Sequence, residues 1–303
     1  MPVERTFTFA GPASPGLTLA PHRRGLGDPC YQLDADRAIW RTSLQGSGPV
    51  TMRISRSAAD AVTCQAWGAG ADELVEALPA LLGDDDDASS FRPQHPTIEA
   101  AFNRVRHLRL GRTGRVLEAL IPAVLEQRVP GADAFRAWRL LVTKFGSPAP
   151  GPAPARMRVP PSAEQWRRIP SWELHRANVD PGRARTVIGC AQRAASLERL
   201  TARSAAVARE ALTCLPGVGV WTAAETAQRA FGDADALSIG DYHVSKMIGW
   251  TLIGRPVDDA EMVELLEPMR PHRYRAVRLL EASGLAYEPR RGARLPVQQI
   301  SEL

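Results

Sequence analysis

The string Leu215-Pro216-Gly217-Val218-Gly219-Val220-Trp221-Thr222-Ala223 constrains this chain more than any other stretch of it. Val207, Ala211 and Leu212 recur at helical spacing before it, and a second apolar-periodic run begins directly after Gly219. Two glycines one residue apart let the backbone turn tightly and approach another chain with no β-carbon in the way. Amides at the start of the second helix then face outward, where helix polarity favours a phosphate oxygen. Val218 is expected to point inward and hold the turn shut. A glycine pair between helices is in general a structural turn. The complete string is more specific, because helix, proline, both glycines and an aromatic-Thr-Ala helix start occur together.

The rest of the chain sets this hairpin, at about 204–231, in a mostly helical context. Helices are expected at 116–127, 133–145, 163–169, 172–178, 181–195, 242–252, 259–266 and 274–283, each with an apolar face at helical spacing. Residues 1–90 read instead as a small α+β unit. Alternating stretches at 38–45 and 49–57 flank a Gly46-Ser47-Gly48 turn, and 60–68 alternates again. A helix over 72–82 carries Leu74, Leu78, Leu81 and Leu82 on one face. The acidic run Asp84 to Asp87 reads as a solvated linker, and the Pro- and Gly-rich stretch 147–162 as an irregular crossing. The expected fold is α+β, with a small N-terminal antiparallel-sheet domain at 1–90, a two-lobed helical region at 91–290 and an irregular tail at 291–303.

Charge bears on the partner. Residues up to 90 carry 7 basic and 12 acidic side chains and the remainder 31 and 21, so the positive excess lies in the helical part, which suits a polyanion. A generally basic surface reads equally well. Cys30, Cys64, Cys190 and Cys214 have no zinc, iron–sulfur or disulfide spacing and read as small buried residues. No apolar run is long enough to cross a bilayer, and the start of the chain, with Glu4, lacks a secretory pattern, so the expectation is cytoplasmic with no membrane partner.

LPGVGVWTA followed by SIGDYHVSK resembles the helix-hairpin-helix DNA glycosylase superfamily, and within it the bacterial 3-methyladenine DNA glycosylase II family. ALIPAVLEQRV at 119–129, RARTVIGCA at 183–191 and the LLGDDDD passage of the N-terminal unit are similar to family segments as well. The resemblance implies that Asp241, 22 residues beyond Gly219, is the catalytic carboxylate. The plain reading of Asp241 as the N-cap of the following helix is compatible with that. A carboxylate beside the anomeric carbon would stabilise an oxocarbenium-like sugar as the base departs and orient a water. Bifunctional relatives carry a lysine where this chain has Trp221; an indole forms no Schiff base, so the implied activity is monofunctional, leaving an abasic site.

The resemblance places Trp221, Glu225, Tyr242 and Glu281 at the base pocket. It places Gln127, Arg128, Leu215, Gly217, Val218, Gly219, Thr222 and His243 against DNA, with Arg128 in the position that intercalates. Two carboxylates at a pocket would favour a cationic lesion, unless they pair with Arg229 or Arg278. His272 is a further candidate for the cleft, with packing as its alternative. The expected substrate is an alkylated base such as 3-methyladenine or 7-methylguanine in double-stranded DNA. The protein is expected as a monomer with no cofactor and no required metal, beyond a monovalent cation near Gly217 and Gly219. The alternatives are a glycosylase for a different lesion, a noncatalytic damaged-DNA-binding protein, or a basic helical interaction protein.

Overall fold

The structure is a computed structural model that describes residues 2–289. Its N-terminal part is a five-stranded antiparallel sheet: β1 (Val3–Thr8), β2 (Tyr31–Leu33), β3 (Ile39–Gln45), β4 (Gly48–Arg56) and β5 (Ala61–Trp67), in the order β1-β5-β4-β3-β2. Gln45 pairs with Gly48, so Gly46 and Ser47 make a two-residue turn, as the sequence predicts. One face, with Val50, Met52, Ile54, Val62, Cys64 and Ala66, is buried against Leu74, Val75 and Leu78 of α2 (Ala71–Leu81). The short α1 (Pro15–Leu19) and the strand β2 are not foreseen, being too short to show a period.

The remaining chain is helical: α3 (Pro96–Arg104), α4 (Val116–Leu125), α5 (Gly131–Phe145), α6 (Ala163–Arg168), α7 (Ser171–Arg176), α8 (Pro181–Gln192), α9 (Ala194–Glu198), α10 (Ala205–Thr213), α11 (Val220–Ala230), α12 (Val244–Ile253), α13 (Asp259–Leu266) and α14 (Arg273–Ser283). These helices form two lobes with separate cores. In one, Leu120, Val124, Leu141, Val187 and Leu212 bring α4, α5, α8 and α10 together around Val218 and Ala223. In the other, Ile98 of α3 packs with Ile248, Met262, Leu266 and Leu280 of α12, α13 and α14. The chain therefore leaves the second lobe after α3, builds the first, and returns after α11. That return passes Asp241.

Two stretches behave differently from their sequence expectation. The acidic run is a clamp rather than a solvated linker: Asp84 pairs with Arg109, Asp85 with Arg112, and Asp86 with Arg275, the last pair almost fully buried. A charge taken out of water needs such a partner, and breaking the Asp86–Arg275 pair would cost about 3–5 kcal/mol. Residues 147–162 contain a two-stranded ribbon of β6 (Ser147–Pro148) and β7 (Arg158–Val159). Arg158 donates its N–H to Pro29 O, and its own carbonyl accepts from Thr42 Oγ1 at 2.5 Å, which straps the crossing to the sheet unit. The N-terminal unit is tied into the helices elsewhere too, since Glu118 of α4 accepts from Arg41 and from Ser43 Oγ on β3. The expected tail at 291–303 lies outside the described residues.

Candidate active site

The hairpin forms as its sequence dictates, and its two glycines have different reasons to be glycine. Gly217 has φ +82, and a β-carbon there would stand 2.0 Å from Thr186 Oγ1 on α8, so both backbone conformation and packing require it. Gly219 is extended, with nothing within 4 Å of where a β-carbon would be. Its bareness serves the outside. Val218 is 4% exposed in the first core, as expected, and its N–H is spent on Leu215 O at 3.0 Å, so it offers neither side chain nor amide to DNA. Leu215 is half-buried against the same core. The amides of Val220, Trp221 and Thr222, in the first turn of α11, precede its first internal hydrogen bond, Ala223 N to Gly219 O.

Gln127, just past the end of α4, fastens that helix to the hairpin. Its Nε2 donates to Gly217 O at 2.9 Å and to Thr222 Oγ1 at 2.8 Å. Thr222 is only 2% exposed: its side chain positions Gln127 and does not reach the surface, which leaves its first-turn amide as the group it can offer DNA. Arg128 is exposed with φ +55, a conformation that costs a non-glycine residue about 1 kcal/mol or more. His243 is exposed as well, its Nδ1 2.9 Å from Glu288.

Asp241 lies where these parts meet. Its Oδ1 accepts from the N–H groups of His243 at 2.8 Å and Val244 at 3.0 Å. It thereby caps α12, which starts at Val244 rather than at Tyr242 because the two preceding residues make the turn that reaches the carboxylate. Its Oδ2 accepts from Trp221 Nε1 at 3.0 Å. Trp221 belongs to the first lobe and Asp241 leads into the second, so this hydrogen bond joins the two. All three donors are uncharged. They fix the carboxylate, and no cation among the described residues forms a salt bridge with it.

One turn further along α11 the surroundings change. Glu225 accepts from Ser238 Oγ at 2.5 Å through Oε1 and from Arg229 Nη1 at 2.7 Å through Oε2. Arg229 also donates through Nε to Pro21 O at 3.1 Å, pinning the loop that carries His22. Arg24, from the same loop, pairs with Glu126 at 3.5 Å. Burial pushes the Glu126 carboxyl up against the opposing pull of Arg24 and Arg229. Burial, and after it Arg41, Arg229, Arg24 and Arg278, holds the His22 imidazole well below its usual range. Desolvation raises the Tyr274 phenol to about 12. No sequence signal marked His22, Arg24 or Tyr274, since they come together from stretches with no shared motif.

Two of the expected pocket residues are exposed. Tyr242 is 74% exposed, with Lys246 Nζ over its ring at 3.4 Å. Glu281 is exposed and accepts from Arg278 Nη1 at 2.6 Å. His272 is a packing residue: it is buried, 2.7 Å from Ser90 Oγ through Nε2, edge-on to Phe91, and accepts from Arg275 through Nδ1. Cys30, Cys64 and Cys190 are buried as expected, whereas Cys214 is exposed. Among the described residues no group of three or more His, Cys, Asp or Glu side chains is arranged to hold a metal ion, and no helix is long and apolar enough to cross a membrane.

No protein-family model matches the chain, and a comparison with curated protein sequences finds no match. Solved structures do match its fold. The 3-methyladenine DNA glycosylase of Archaeoglobus fulgidus superposes with a TM-score of 0.77 over 92% of this chain and 98% of its own, at 15% identity. The 8-oxoguanine glycosylase/lyase of Clostridium acetobutylicum, in complex with double-stranded DNA containing cytosine opposite 8-oxoguanine, gives 0.71 over 93% and 96%, at 11% identity. The 3-methyladenine DNA glycosylase Mag1 of Schizosaccharomyces pombe, in complex with abasic DNA, gives 0.52 over 65% and 96%, at 17% identity. The α+β architecture, with its sheet unit and two helical lobes, is the glycosylase fold of these structures.

Proposed function

We propose that the chain is a monofunctional DNA glycosylase that hydrolyses the N-glycosidic bond of a damaged base in duplex DNA and leaves an abasic site. The observation that carries this reading is Asp241, held between the lobes by Trp221 Nε1 and two backbone amides, beside a hairpin with outward amides and a bare Gly219. The hairpin would hold a phosphate through the first-turn amides of α11. Extrusion of the nucleotide brings its sugar to the carboxylate. As the base leaves, positive charge grows at the anomeric carbon. At about 4 Å and an effective dielectric of about 20, a carboxylate stabilises that charge by about 4 kcal/mol, close to a thousandfold in rate. The same carboxylate orients the water that adds to the sugar.

The monofunctional assignment follows from the amines. Lys144 pairs with Glu173 at 2.6 Å, and Lys246, the chain's other lysine, lies over the exposed Tyr242 ring. Trp221 stands on the carboxylate itself. Gel electrophoresis of a damaged duplex after incubation with the protein tests this: the strand is expected intact until alkali cleaves the abasic site. Scission without alkali would contradict it.

The resemblance favours alkylated purines, 3-methyladenine or 7-methylguanine, as substrates. A second reading, a different lesion, is favoured by a specific observation: Glu225 and Glu281 are bonded to Arg229 and Arg278, so neither presents a free negative charge to a cationic base. A monovalent cation beside the hairpin would find Gly217 O already accepting from Gln127, with one lone pair remaining.

A further inference from the structure

We infer that Leu26, at the tip of the loop 24–28, is an apolar wedge that enters the base stack of the bound duplex beside the extruded nucleotide. The inference rests on the glycosylase reading and adds to it a DNA contact from the N-terminal unit, outside the hairpin and the turn after α4.

Leu26 is 89% exposed, more than any other large apolar side chain among the described residues. A single exposed leucine is ordinary on a protein surface, but the loop that presents this one is not. The carboxylate of Asp28, itself almost fully buried, closes the loop: Oδ2 accepts from Arg24 N at 2.7 Å, and Oδ1 from Cys30 N at 2.9 Å and from Trp138 Nε1 on α5 at 3.0 Å. The Arg24 guanidinium lies over the Trp138 ring at 5.2 Å and donates to His22 O at 3.0 Å. Both neighbours of Leu26 are glycines pressed onto α5. A β-carbon would stand 3.3 Å from Phe135 at Gly25, where φ is +76, and 3.1 Å from Arg139 Nη1 at Gly27. The leucine between them is held out to solvent by a fixed scaffold, so it loses little freedom on binding.

A chain of contacts ties this loop to the hairpin. Arg24 Nε is 3.5 Å from Glu126, and the next residue, Gln127, is bonded to Gly217 O and to Thr222 Oγ1. Thr222 adjoins Trp221, which holds Asp241. The stem of the loop is fastened to α11 as well, where Arg229 Nε donates to Pro21 O at 3.1 Å. Beneath the tip, Phe135 and Arg139 share a face of α5 with Gly131, which follows Arg128 by three residues. Arg128 and Arg139 are exposed, and neither forms a salt bridge with a described residue.

The chemistry fits a duplex. Guanidiniums without carboxylate partners attract phosphates, and an apolar side chain among them meets a base step. The gap left by an extruded nucleotide has apolar base faces above and below it. A leucine enters that gap without giving up charge hydration, whereas the guanidinium of Arg128 would have to, and serves better at the backbone. The wedge and the position that the resemblance assigns to it therefore fall on different residues here.

The test uses the intact protein and two duplexes, one undamaged and one carrying a tetrahydrofuran abasic analogue beside 2-aminopurine, whose fluorescence rises when it is unstacked. Leu26→Ala, Leu26→Met and Arg128→Ala are run alongside, with thermal melting. Leu26→Ala should lower the preference for the tetrahydrofuran duplex about tenfold, the worth of a buried leucine side chain, and remove most of the fluorescence rise at an unchanged melting midpoint. Leu26→Met should keep both, because it conserves apolar volume. Arg128→Ala should weaken both duplexes alike and reduce the salt slope by about one. A Leu26→Ala variant indistinguishable from the intact protein, or a loss of preference in Arg128→Ala alone, would overturn the inference and leave the glycosylase reading standing. An intact protein that shows neither the preference nor the fluorescence rise would overturn it too, and one that binds no DNA would remove both.

Discussion

Beside the hairpin Asp241 is held by an indole and two amides, all neutral, whereas one turn along α11 Glu225 is bonded to the guanidinium of Arg229. The two carboxylates differ in what their charge is for. A charge whose partner is another side chain is spent on holding the fold. A charge fixed by neutral donors is still available to a cation that appears only during a reaction. The difference predicts that one carboxylate governs activity and the other stability.

The largest contrast comes from Asp241→Asn. Asparagine keeps the cap on α12 but turns its NH2 toward the Trp221 N–H and loses that hydrogen bond, so stability should fall by only about 1 kcal/mol, while base release should fall about a thousandfold. Glu225→Leu should do the reverse first: it leaves Arg229 buried without its carboxylate and should cost about 3 kcal/mol in denaturant unfolding. Equal stability losses from the two substitutions would break the comparison. The glycines divide the hairpin in the same manner. Gly217→Ala should destabilise by about 1–3 kcal/mol, because it must adopt a strained φ and displace Thr186. Gly219→Ala should leave stability nearly unchanged and weaken salt-dependent DNA binding alone, as read by fluorescence anisotropy.

A last contrast is in pH. His22, lowered by burial and by Arg41, Arg229, Arg24 and Arg278, and His272, lowered by burial and by Arg275 against Asp86, Asp87 and Asp235, are both harder to protonate folded than unfolded. Below about pH 6.5 the unfolded chain binds more protons, so stability falls as pH drops from 6.5, by at most about 1.4 kcal/mol per pH unit for each histidine. His22→Phe should flatten that slope in thermal melts between pH 7 and 5. An unchanged slope would mean that His22 does not stay neutral in the folded chain.

The hairpin was legible in the sequence and the cluster around His22 was not, for a physical reason. Gly217 needs its φ and Val218 its burial because of neighbours within a few residues, so the string alone announces the turn. Asp241 followed from the resemblance to a family pattern and not from any local period. By contrast, His22, Arg24, Glu126, Arg229 and Tyr274 are a set only because the N-terminal loop, α4, α11 and α14 converge, and no local period encodes such a meeting. The acidic run was misread for the same reason, since Arg109, Arg112 and Arg275 are distant in sequence. Thr222 was placed rightly at the hairpin, but its hydroxyl turns inward to Gln127.

The most direct measurement is the rate of abasic-site formation in a damaged duplex, with protein in excess, for the intact chain and for Asp241→Asn at matched DNA occupancy. Release by the intact protein, reduced about a thousandfold in a variant that is still folded and binds DNA with the same affinity, is the predicted result. Equal rates for the two proteins would contradict a catalytic role for Asp241, and DNA bound tightly by both with no base released would leave a chain that recognises damaged DNA without acting on it.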